Sequence, residues 1–202
     1  ALERAEMNER KGYRHSYDML GEGARTREDA ERYYQSYENA IAVIGKSREG
    51  QGDIWTAPNI SVKLSALHPR FTESQRDLCL PELSAKLIAL CEAAARAGIG
   101  LTVDAEESER LELWLDIVEQ ALASPVTKTW NGFGIAIQAY QKRAPQVIDL
   151  VAALCRTHDR KMMVRLVKGA YWDSEIKRTQ MNGLSDYPVY TRKTATDVSY
   201  LA

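Results

Sequence analysis

Two cations and two aromatic residues follow an apolar run in the last quarter of the chain. The segment 163–172 reads MVRLVKGAYW, so that Arg165 and Lys168 precede Tyr171 and Trp172. Two cations at the end of a strand are costly to bury unless an anionic or electron-rich group meets them. The adjacent aromatic rings can flank a planar group. The pattern therefore predicts a ligand site here, with a structural ion pair to a nearby carboxylate as the alternative.

Three further polar residues interrupt or end apolar runs elsewhere in the chain. Lys63 lies in ISVKLSAL, Asp104 ends LTVD, and Gln138 interrupts GFGIAIQAY. A lysine that points into a site can pair with a carboxylate or form a Schiff base. A buried glutamine amide needs partners for its donors and its acceptor, which a planar heterocycle would supply. Each residue also has a simpler interpretation: an exposed lysine, a helix-capping aspartate and a glutamine bonded within the core.

The elements that would position these residues alternate between short apolar runs and helical patterns. The runs predicted as strands are Tyr13–Leu20, Ile60–Leu67, Ile99–Ala105, Gly132–Tyr140 and Met162–Ala170. Thr26 and Asp29 have the spacing of a capping box, and Pro145 suits the first turn of a helix. The predicted helices run from the Thr26 cap to about Gly45, over Pro81–Ala97, from Ser108, from Pro145 to about Thr157, over Asp173–Met181 and from near Ala195.

This alternation predicts an α/β fold with a parallel sheet. No GxGxxG follows any of the predicted strands, which argues against an open dinucleotide-binding sheet. The four polar residues Lys63, Asp104, Gln138 and Arg165 recur at similar depths on successive strands, and a barrel gathers such residues around one mouth. We therefore predict a (βα)8 TIM-type barrel, with about five βα units in this chain. Eight units usually need about 250 residues, so the later strands are expected in a longer protein.

Composition and charge argue against several classes of function. The 202 residues are 45% hydrophobic, and their net charge of -1 gives no field suited to nucleic acid or an anionic membrane. No apolar run approaches the roughly 18 residues of a membrane span. The three cysteines and three histidines share no metal-ligand spacing. We expect reduced structural thiols and no metal site.

The residues alone leave three classes of function open. The first is a cofactor-dependent barrel enzyme with an anionic substrate. The second is a Schiff-base lyase of the aldolase type, with Lys63 or Lys168 as the nucleophile. The third, a helical interaction module, is disfavoured because the polar groups gather at strand ends. A flavin absorbance spectrum would distinguish the first class, and borohydride trapping would test the second.

Five longer motifs resemble the proline dehydrogenase domain of bacterial proline utilization A. They are SVKLSALHPRF, VDAEESERLE, AIQAYQKR, MVRLVKGAYWDSEIKR and YPVYTRK, and the likeness extends from HSYDMLGE to the final DVSYLA. The resemblance implies a distorted (βα)8 barrel that holds FAD and oxidises L-proline to Δ1-pyrroline-5-carboxylate by hydride transfer to flavin N5. It further implies a membrane quinone as electron acceptor, a cytoplasmic location with peripheral membrane contact in the reduced state, and no nucleic acid bound through this segment.

The same resemblance assigns the catalytic and substrate-binding residues. Lys63 would pair with the proline carboxylate, and Asp104 would lie beside the flavin and orient a tyrosine from a later strand. Arg165 would lie near flavin N5. Leu166 and Tyr171 would shape the substrate pocket. The implied catalytic set is Lys63, Asp104, Arg165 and Tyr171.

The remaining assignments concern the cofactor. Gln138 would hydrogen-bond the pyrimidine edge of the isoalloxazine, and Ala136 would pack beside it. The other FAD contacts, besides Asp104 and Arg165, would come from Val167, Gly169, Ala170, Trp172, Thr191, Lys193 and Thr196. The family also uses a paired arginine motif on its last helix and later strands that bind flavin, which would lie beyond Ala202. The segment is therefore expected to hold about half of the pocket and to be inactive alone.

Overall fold

A single parallel sheet of five strands organises the computed structural model, which describes residues 2–47 and 52–202. The sheet order is β1-β2-β3-β4-β5, so that each strand pairs with the next along the chain. An open doubly wound sheet reverses direction at a switch point, whereas a barrel wall continues in sequence. The strands are β1 Ser16–Asp18, β2 Asn59–Val62, β3 Gly100–Val103, β4 Phe133–Gln138 and β5 Met163–Val167.

Helices connect the strands, as the sequence pattern predicts for a βα series. The α2 helix begins with the predicted capping box: the Thr26 hydroxyl accepts from the Asp29 N–H at 3.1 Å, and the Asp29 carboxylate accepts from the Thr26 N–H at 3.2 Å. The helices are α1 Leu2–Glu9, α2 Arg27–Lys46, α3 Leu64–Leu67, α4 Arg76–Ala97, α5 Leu111–Ala123, α6 Val126–Thr129, α7 Ala144–His158, α8 Trp172–Met181 and α9 Lys193–Leu201.

The strand register puts the polar and small residues of the sheet on one face. Asp18 is opposite Ser61, Ser61 is opposite Thr102, and Ala136 is opposite Arg165. Because paired residues of neighbouring strands point to the same side and side chains alternate along a strand, this face continues across all five strands. It also includes Ser16, Gly134, Gln138 and Val167.

The opposite face of the sheet is apolar and packs against the helices. Ile60, Leu101, Phe133 and Ile135 are fully buried there, in one core with the long α4 helix. A parallel sheet covered on this face by helices is the usual condition of a βα barrel. The inner face is left with small and polar side chains that can line a cavity.

The sheet is curved strongly enough for its first and last strands to share a contact. Arg165 of β5 donates to the Ser16 hydroxyl of β1 at 3.3 Å and to the Ser61 hydroxyl of β2 at 3.0 Å. In a flat sheet β1 and β5 would lie roughly 19 Å apart, at about 4.8 Å per strand, which is beyond the reach of one arginine. The inner face is therefore concave, as part of a barrel wall must be.

The second apolar run is shorter as a strand than its composition predicts. The prediction of a strand over Ile60–Leu67 is wrong after Val62, because Leu64–Leu67 is a short helix. All four of its residues are buried, and a short apolar run buried on every side carries no period that separates strand from helix. Lys63 thus follows the end of β2 instead of lying within it.

Helix boundaries differ from the prediction by five residues or fewer. The α4 helix begins at Arg76, so that Pro81 is in its second turn and not at its start. The α7 helix begins at Ala144, one residue before Pro145. The α1 and α6 helices have no counterpart in the prediction. Among the described residues, no helix is long and apolar enough to cross a membrane.

Candidate active site

A cavity of about 600 Å³ opens at the carboxyl ends of the strands. Barrel enzymes place their chemistry at this end. All five strands or the loops that follow them contribute to its wall. The lining residues are Ser16, Asp18, Glu22, Ser61, Lys63, Asp104, Ala105, Ala136, Gln138, Arg165, Val167, Lys168, Gly169, Ala170 and Tyr171.

Lys63 is held between two carboxylates in this cavity. Its Nζ lies 2.8 Å from Asp18 Oδ2 and 3.0 Å from Asp104 Oδ2, and its side chain is only 13% exposed. Its backbone N–H donates to the hydroxyl of Tyr37, a buried residue of α2. Burial by itself lowers the pKa of Lys63, but hydrogen bonds and charge attraction from the two aspartates more than offset it and raise that pKa above the usual range.

Asp104 joins Lys63 to Arg165. One oxygen of its carboxylate accepts from Lys63 and the other accepts from the Arg165 guanidinium. Its backbone is fixed at two points, because its N–H donates to Val62 O at 2.8 Å and its carbonyl accepts from the buried Trp114 indole at 3.0 Å. A carboxylate fixed in this way gives two cations a defined separation.

The four charged groups of this cluster have a net charge of zero. Lys63 and Arg165 carry two positive charges, and Asp18 and Asp104 carry two negative ones. Burial raises the pKa of Asp18, but its bonds to Lys63 and to the Leu20 N–H, with the nearby Arg165, lower that pKa overall. A neutral, fully paired cluster can be partly buried without the penalty of an isolated charge. The cluster can therefore present charge to a ligand from a fixed position.

Gln138 is buried beside this cluster and is partly satisfied by the chain. Its Nε2 donates to the Glu106 carbonyl at 2.8 Å, and its Oε1 accepts from the Ala170 N–H at 2.9 Å. A primary amide has two N–H donors and two acceptor lone pairs. One donor and one lone pair thus remain for a ligand in the cavity.

Gly169 shapes the floor between Gln138 and Tyr171. Its φ is 145°, a conformation that favours glycine, and an added Cβ would lie 2.5 Å from the Tyr140 ring. The Tyr140 hydroxyl in turn accepts from the Tyr171 N–H at 3.2 Å. Gly169 therefore lets the loop after β5 pass close to Tyr140, which follows β4.

Tyr171 closes one side of the cavity by bonding to a loop residue after β1. Its hydroxyl donates to Glu22 Oε2 at 2.9 Å. Burial, followed by the bond to Glu22, raises the pKa of Tyr171 above its ordinary value. The phenol is therefore neutral at physiological pH and acts as a hydrogen-bond donor.

Five predicted site residues do not line this cavity. Leu166 alternates with Arg165 and Val167 and packs against the apolar core. Trp172 is 42% exposed and donates from its indole to Tyr190 O at 3.0 Å. The other three belong to the segment around the start of α9: Thr191 is exposed, Thr196 is buried, and Lys193 bonds to Asp197.

Lys168 is bonded to α9, the helix whose start lies beside Thr191, Lys193 and Thr196. Its Nζ pairs with Asp197 and lies 5.8 Å from the centre of the Tyr200 ring. The bond to Asp197 raises the pKa of Lys168. Lys168 therefore connects the cavity to α9.

Four polar cavity residues escaped the sequence prediction: Ser16, Asp18, Glu22 and Ser61. Asp18 ends its strand as Asp104 follows β3, so strand-end position was a usable signal for it. The two serines and Glu22 carry no signal of this kind, because such residues are common on solvated surfaces. Their place depends on strand register and on the loop after β1.

The donor set of the cavity suits a planar, electron-rich group. Two cations, Lys63 and Arg165, face it together with the spare amide donor and acceptor of Gln138. The chain bends at Gly169, where no Cβ intrudes. Among the described residues, no group of three or more histidine, cysteine, aspartate or glutamate side chains is arranged to hold a metal ion.

Comparison with known proteins decides the family. All 202 residues match the family model described as proline dehydrogenase. The chain belongs to the proline dehydrogenase family. The Bifunctional protein PutA of Escherichia coli (strain K12) is 55% identical over 202 residues, which cover 100% of this chain and 15% of that protein. The Rhizobium meliloti protein of the same name is 51% identical over 201 residues, which cover 100% of this chain and 16% of its own length.

Solved structures of the family share the fold of this chain. A proline utilization A (PutA) mutant from Bradyrhizobium japonicum superposes with a TM-score of 0.90 at 57% identity, over 94% of this chain and 19% of that one. PutA from Bdellovibrio bacteriovorus, inactivated by N-propargylglycine, gives a TM-score of 0.91 at 26% identity, over 99% of this chain and 22% of that one. These proline dehydrogenase domains confirm the predicted α/β class and the partial TIM barrel. The chain spans about 15% of the length of the curated relatives it matches.

Proposed function

We propose that residues 1–202 form the N-terminal part of a proline dehydrogenase barrel that oxidises L-proline to Δ1-pyrroline-5-carboxylate. This reaction is the first step of proline catabolism to glutamate. The observation that carries the proposal is the convergence of Lys63, Asp104, Gln138 and Arg165 on one cavity, in a chain that belongs to the proline dehydrogenase family.

The proposed cofactor is FAD, and the cavity has groups suited to it. When bound, FAD would accept a hydride from proline at flavin N5 and pass the electrons to a membrane quinone. Arg165 and the spare N–H of Gln138 are the donors we assign to the ring, and the spare lone pair of the Gln138 oxygen is the acceptor. Ala136, Val167, Gly169 and Ala170 lie beside them in the cavity wall, with Asp104 behind Arg165. Trp172, Thr191, Lys193 and Thr196 are proposed for the more distant parts of the cofactor.

The proposed substrate contacts centre on Lys63. An ammonium group has three N–H donors, and Asp18 and Asp104 use two of them. The third is available to the substrate carboxylate and would fix the position of the carbon that is oxidised. Tyr171 would wall the substrate on one side. Leu166 faces the apolar core, so its proposed effect on the pocket would act through the position of β5.

The Schiff-base lyase is the weaker candidate. A lysine nucleophile must lose its proton, and enzymes achieve this by lowering the pKa of the amine. The two aspartates raise the pKa of Lys63, and Asp197 raises that of Lys168. Both amines are therefore held as ammonium groups, which favours charge pairing over covalent attack.

The remaining partner of this chain is the rest of its own barrel. The last strand, β5, pairs with β4 on one side only among the described residues, and its Val164 is 49% exposed. An unpaired edge with an exposed apolar side chain suits the docking of a further strand. We propose that later strands and a last helix complete the pocket, in a cytoplasmic protein that contacts the membrane only peripherally when reduced.

The full-length protein provides the test. It should purify with bound flavin, and L-proline added without oxygen should bleach the flavin absorbance and yield Δ1-pyrroline-5-carboxylate. Borohydride added with a carbonyl substrate should leave no adduct on Lys63 or Lys168. A flavin-free protein that is trapped by borohydride would instead support the lyase.

A further inference from the structure

Asp18 lines the cavity and bonds to Lys63, but the proposed function gives it no role of its own. It ends β1, its side chain is 38% exposed, and its Oδ2 lies 2.8 Å from Lys63 Nζ. Asp104 is fixed by the Val62 carbonyl of β2 and by Trp114. The question is whether Asp18 is similarly fixed, or is a surface carboxylate that follows the lysine.

The loop after β1 fixes the carboxylate of Asp18. Its other oxygen, Oδ1, accepts from the Leu20 N–H at 2.8 Å. Leu20 has a φ of 56°, which is uncommon for a residue with a side chain and persists only when the surroundings impose it. The loop is anchored a second time to Ser65, which accepts from the N–H groups of Gly23 and Ala24 at 3.0 and 2.8 Å.

The direction of the Lys63 ammonium follows from these two anchored carboxylates. A lysine has a flexible stem, and its head turns freely unless its donors are used. Asp18 and Asp104 approach the same Nζ from β1 and from the end of β3. With two of three N–H groups committed to anchored oxygens, the third has one direction left. Among the described residues it has no protein partner, and Lys63 lines the cavity.

We propose that Asp18 is a positioning residue for substrate recognition, which fixes the Lys63 ammonium so that its third N–H meets the substrate carboxylate. The inference rests on the proposed function, because the carboxylate in question is that of proline. Asp18 also keeps Lys63 in the charged form that such pairing requires. A simple structural tie between β1 and β2 would do neither.

In the described part of the chain, four polar or charged side chains surround Lys63 and bear on its titration. They are Asp18 from β1, the Tyr37 hydroxyl from α2, Asp104 after β3 and Arg165 from β5. Burial raises the pKa of Tyr37 to about 12, so that this phenol stays neutral below pH 10. Across the cavity lie Glu22, Lys168 and Tyr171. Only Asp18 is altered in the variants below.

The test compares Asp18→Asn and Asp18→Glu in the full-length enzyme. Steady-state kinetics with L-proline are measured from pH 6 to pH 10. Calorimetric titration with cyclopentanecarboxylate, a ring carboxylate with no amine to oxidise, measures carboxylate binding without turnover. Asp186→Asn is the matched control, because Asp186 pairs with Lys142 at 2.6 Å on the surface and does not line the cavity.

Asp18→Asn should raise the KM for proline about tenfold and change kcat less than about twofold, as expected when the charged hydrogen bond from Lys63 to the substrate carboxylate is no longer aligned. The affinity for cyclopentanecarboxylate should fall by a similar factor. As the pH is raised, both affinities should begin to fall at a lower pH in Asp18→Asn than in the wild type. The reason is that Lys63 stays buried but loses one of the carboxylates that hold its proton. Asp18→Glu should raise KM severalfold while keeping the wild-type pH dependence.

Two results would overturn the inference. One is an Asp18→Asn enzyme whose KM for proline is unchanged, or whose KM is raised while its pH dependence stays that of the wild type. A purely structural tie predicts a raised KM with no shift in pH dependence. The other, decisive if Asp18→Asn does not fold, is an Asp18→Glu enzyme with wild-type KM. A wild-type protein that neither oxidises proline nor binds cyclopentanecarboxylate would instead refute the proposed function.

Discussion

Glycine at position 169 is the residue on which the shape of the cavity depends most directly. Its backbone takes a φ of 145°, and the Tyr140 ring fills the space where a side chain would begin. The Tyr140 hydroxyl holds the backbone of Tyr171. A change at Gly169 would therefore displace two aromatic residues and the loop that carries Tyr171.

We predict that Gly169→Ala destabilises the barrel by at least about 3 kcal/mol, from backbone strain and overpacking together, and abolishes flavin retention. Thermal unfolding and the flavin content of the purified protein measure the two effects. Gly183→Ala is the control, because Gly183 has a φ of 60° with no atom within 4 Å of the added Cβ. It should cost only about 1–2 kcal/mol and keep the flavin. Equal effects of both changes would show that the Tyr140 contact is unimportant.

Glu106 is a buried carboxyl group under the cavity. Its Oε1 accepts from the Ser65 N–H at 3.0 Å, and Arg110 lies 3.6 Å from Oε2. Burial is the largest influence and raises the pKa of Glu106, although Ser65 and Arg110 act in the opposite direction. The folded protein thus binds this proton more tightly than the unfolded chain. Stability from this group is present at low pH and is lost as the pH rises through the folded-state value.

Glu106→Gln should therefore raise the melting temperature at pH 7 to 8, with a gain that shrinks toward pH 5. The amide keeps an acceptor for Ser65 and removes the buried charge. Calorimetric melting at several pH values checks this, with Glu112→Gln as an exposed control on α5. A glutamine variant that is less stable than the wild type at pH 8 would mean that the ionised form is favoured by the fold.

At the scale of elements, the α2 helix ends the loop that starts after Asp18 of β1 and carries Glu22. Its first turn is closed by the reciprocal bonds of Thr26 and Asp29. We predict that Thr26→Ala costs about 1 kcal/mol of stability and increases hydrogen exchange in the first turn of α2. Ser36→Ala removes a mid-helix hydroxyl whose one partner among the described residues is Arg32 O. It should change neither the stability nor the exchange in the first turn. Hydrogen exchange at the start of α2 that is the same in Thr26→Ala as in the wild type would contradict a stabilising role for the Thr26 cap.

Strand order and most helices are predictable from the sequence because their patterns are local. Asp104, Gln138 and Arg165 follow or interrupt apolar runs, and this placement is the signal by which the sequence identifies them. The helix Leu64–Leu67 is not predictable, because burial on all sides leaves no period. Ser16 and Ser61 are also beyond the reach of sequence patterns, since their contact with Arg165 depends on the curvature of the whole sheet.

For the molecule as a whole, the open edge of β5 sets a limit on what this chain can do alone. Arg165 is 40% exposed and Val164 is 49% exposed at this edge. Such surfaces are normally covered by the next strand and helix of a barrel. The proposed pocket would therefore be completed by further strands of the barrel.

We predict that the 202-residue chain expressed alone retains no flavin and self-associates, whereas the full-length protein retains flavin. Size-exclusion chromatography with absorbance detection of the flavin compares the two. Joint expression of the chain with the rest of its barrel should restore flavin retention. A monomeric, yellow 202-residue protein would show that the five-strand sheet is sufficient for binding.

In the proposed complex, Lys63 presents one charged donor to the substrate carboxylate inside a flavin-bearing cavity. The most direct measurement is the proline concentration needed for half-maximal rate of flavin reduction in the full-length protein, after mixing without oxygen. Lys63→Ala should raise this concentration at least about tenfold, since a charged hydrogen bond is worth about 1.5–3 kcal/mol, and should lower the limiting rate much less. Lys142→Ala, which removes a surface lysine paired with Asp186, should behave as wild type. A Lys63→Ala protein whose flavin is reduced with wild-type dependence on proline would contradict the account.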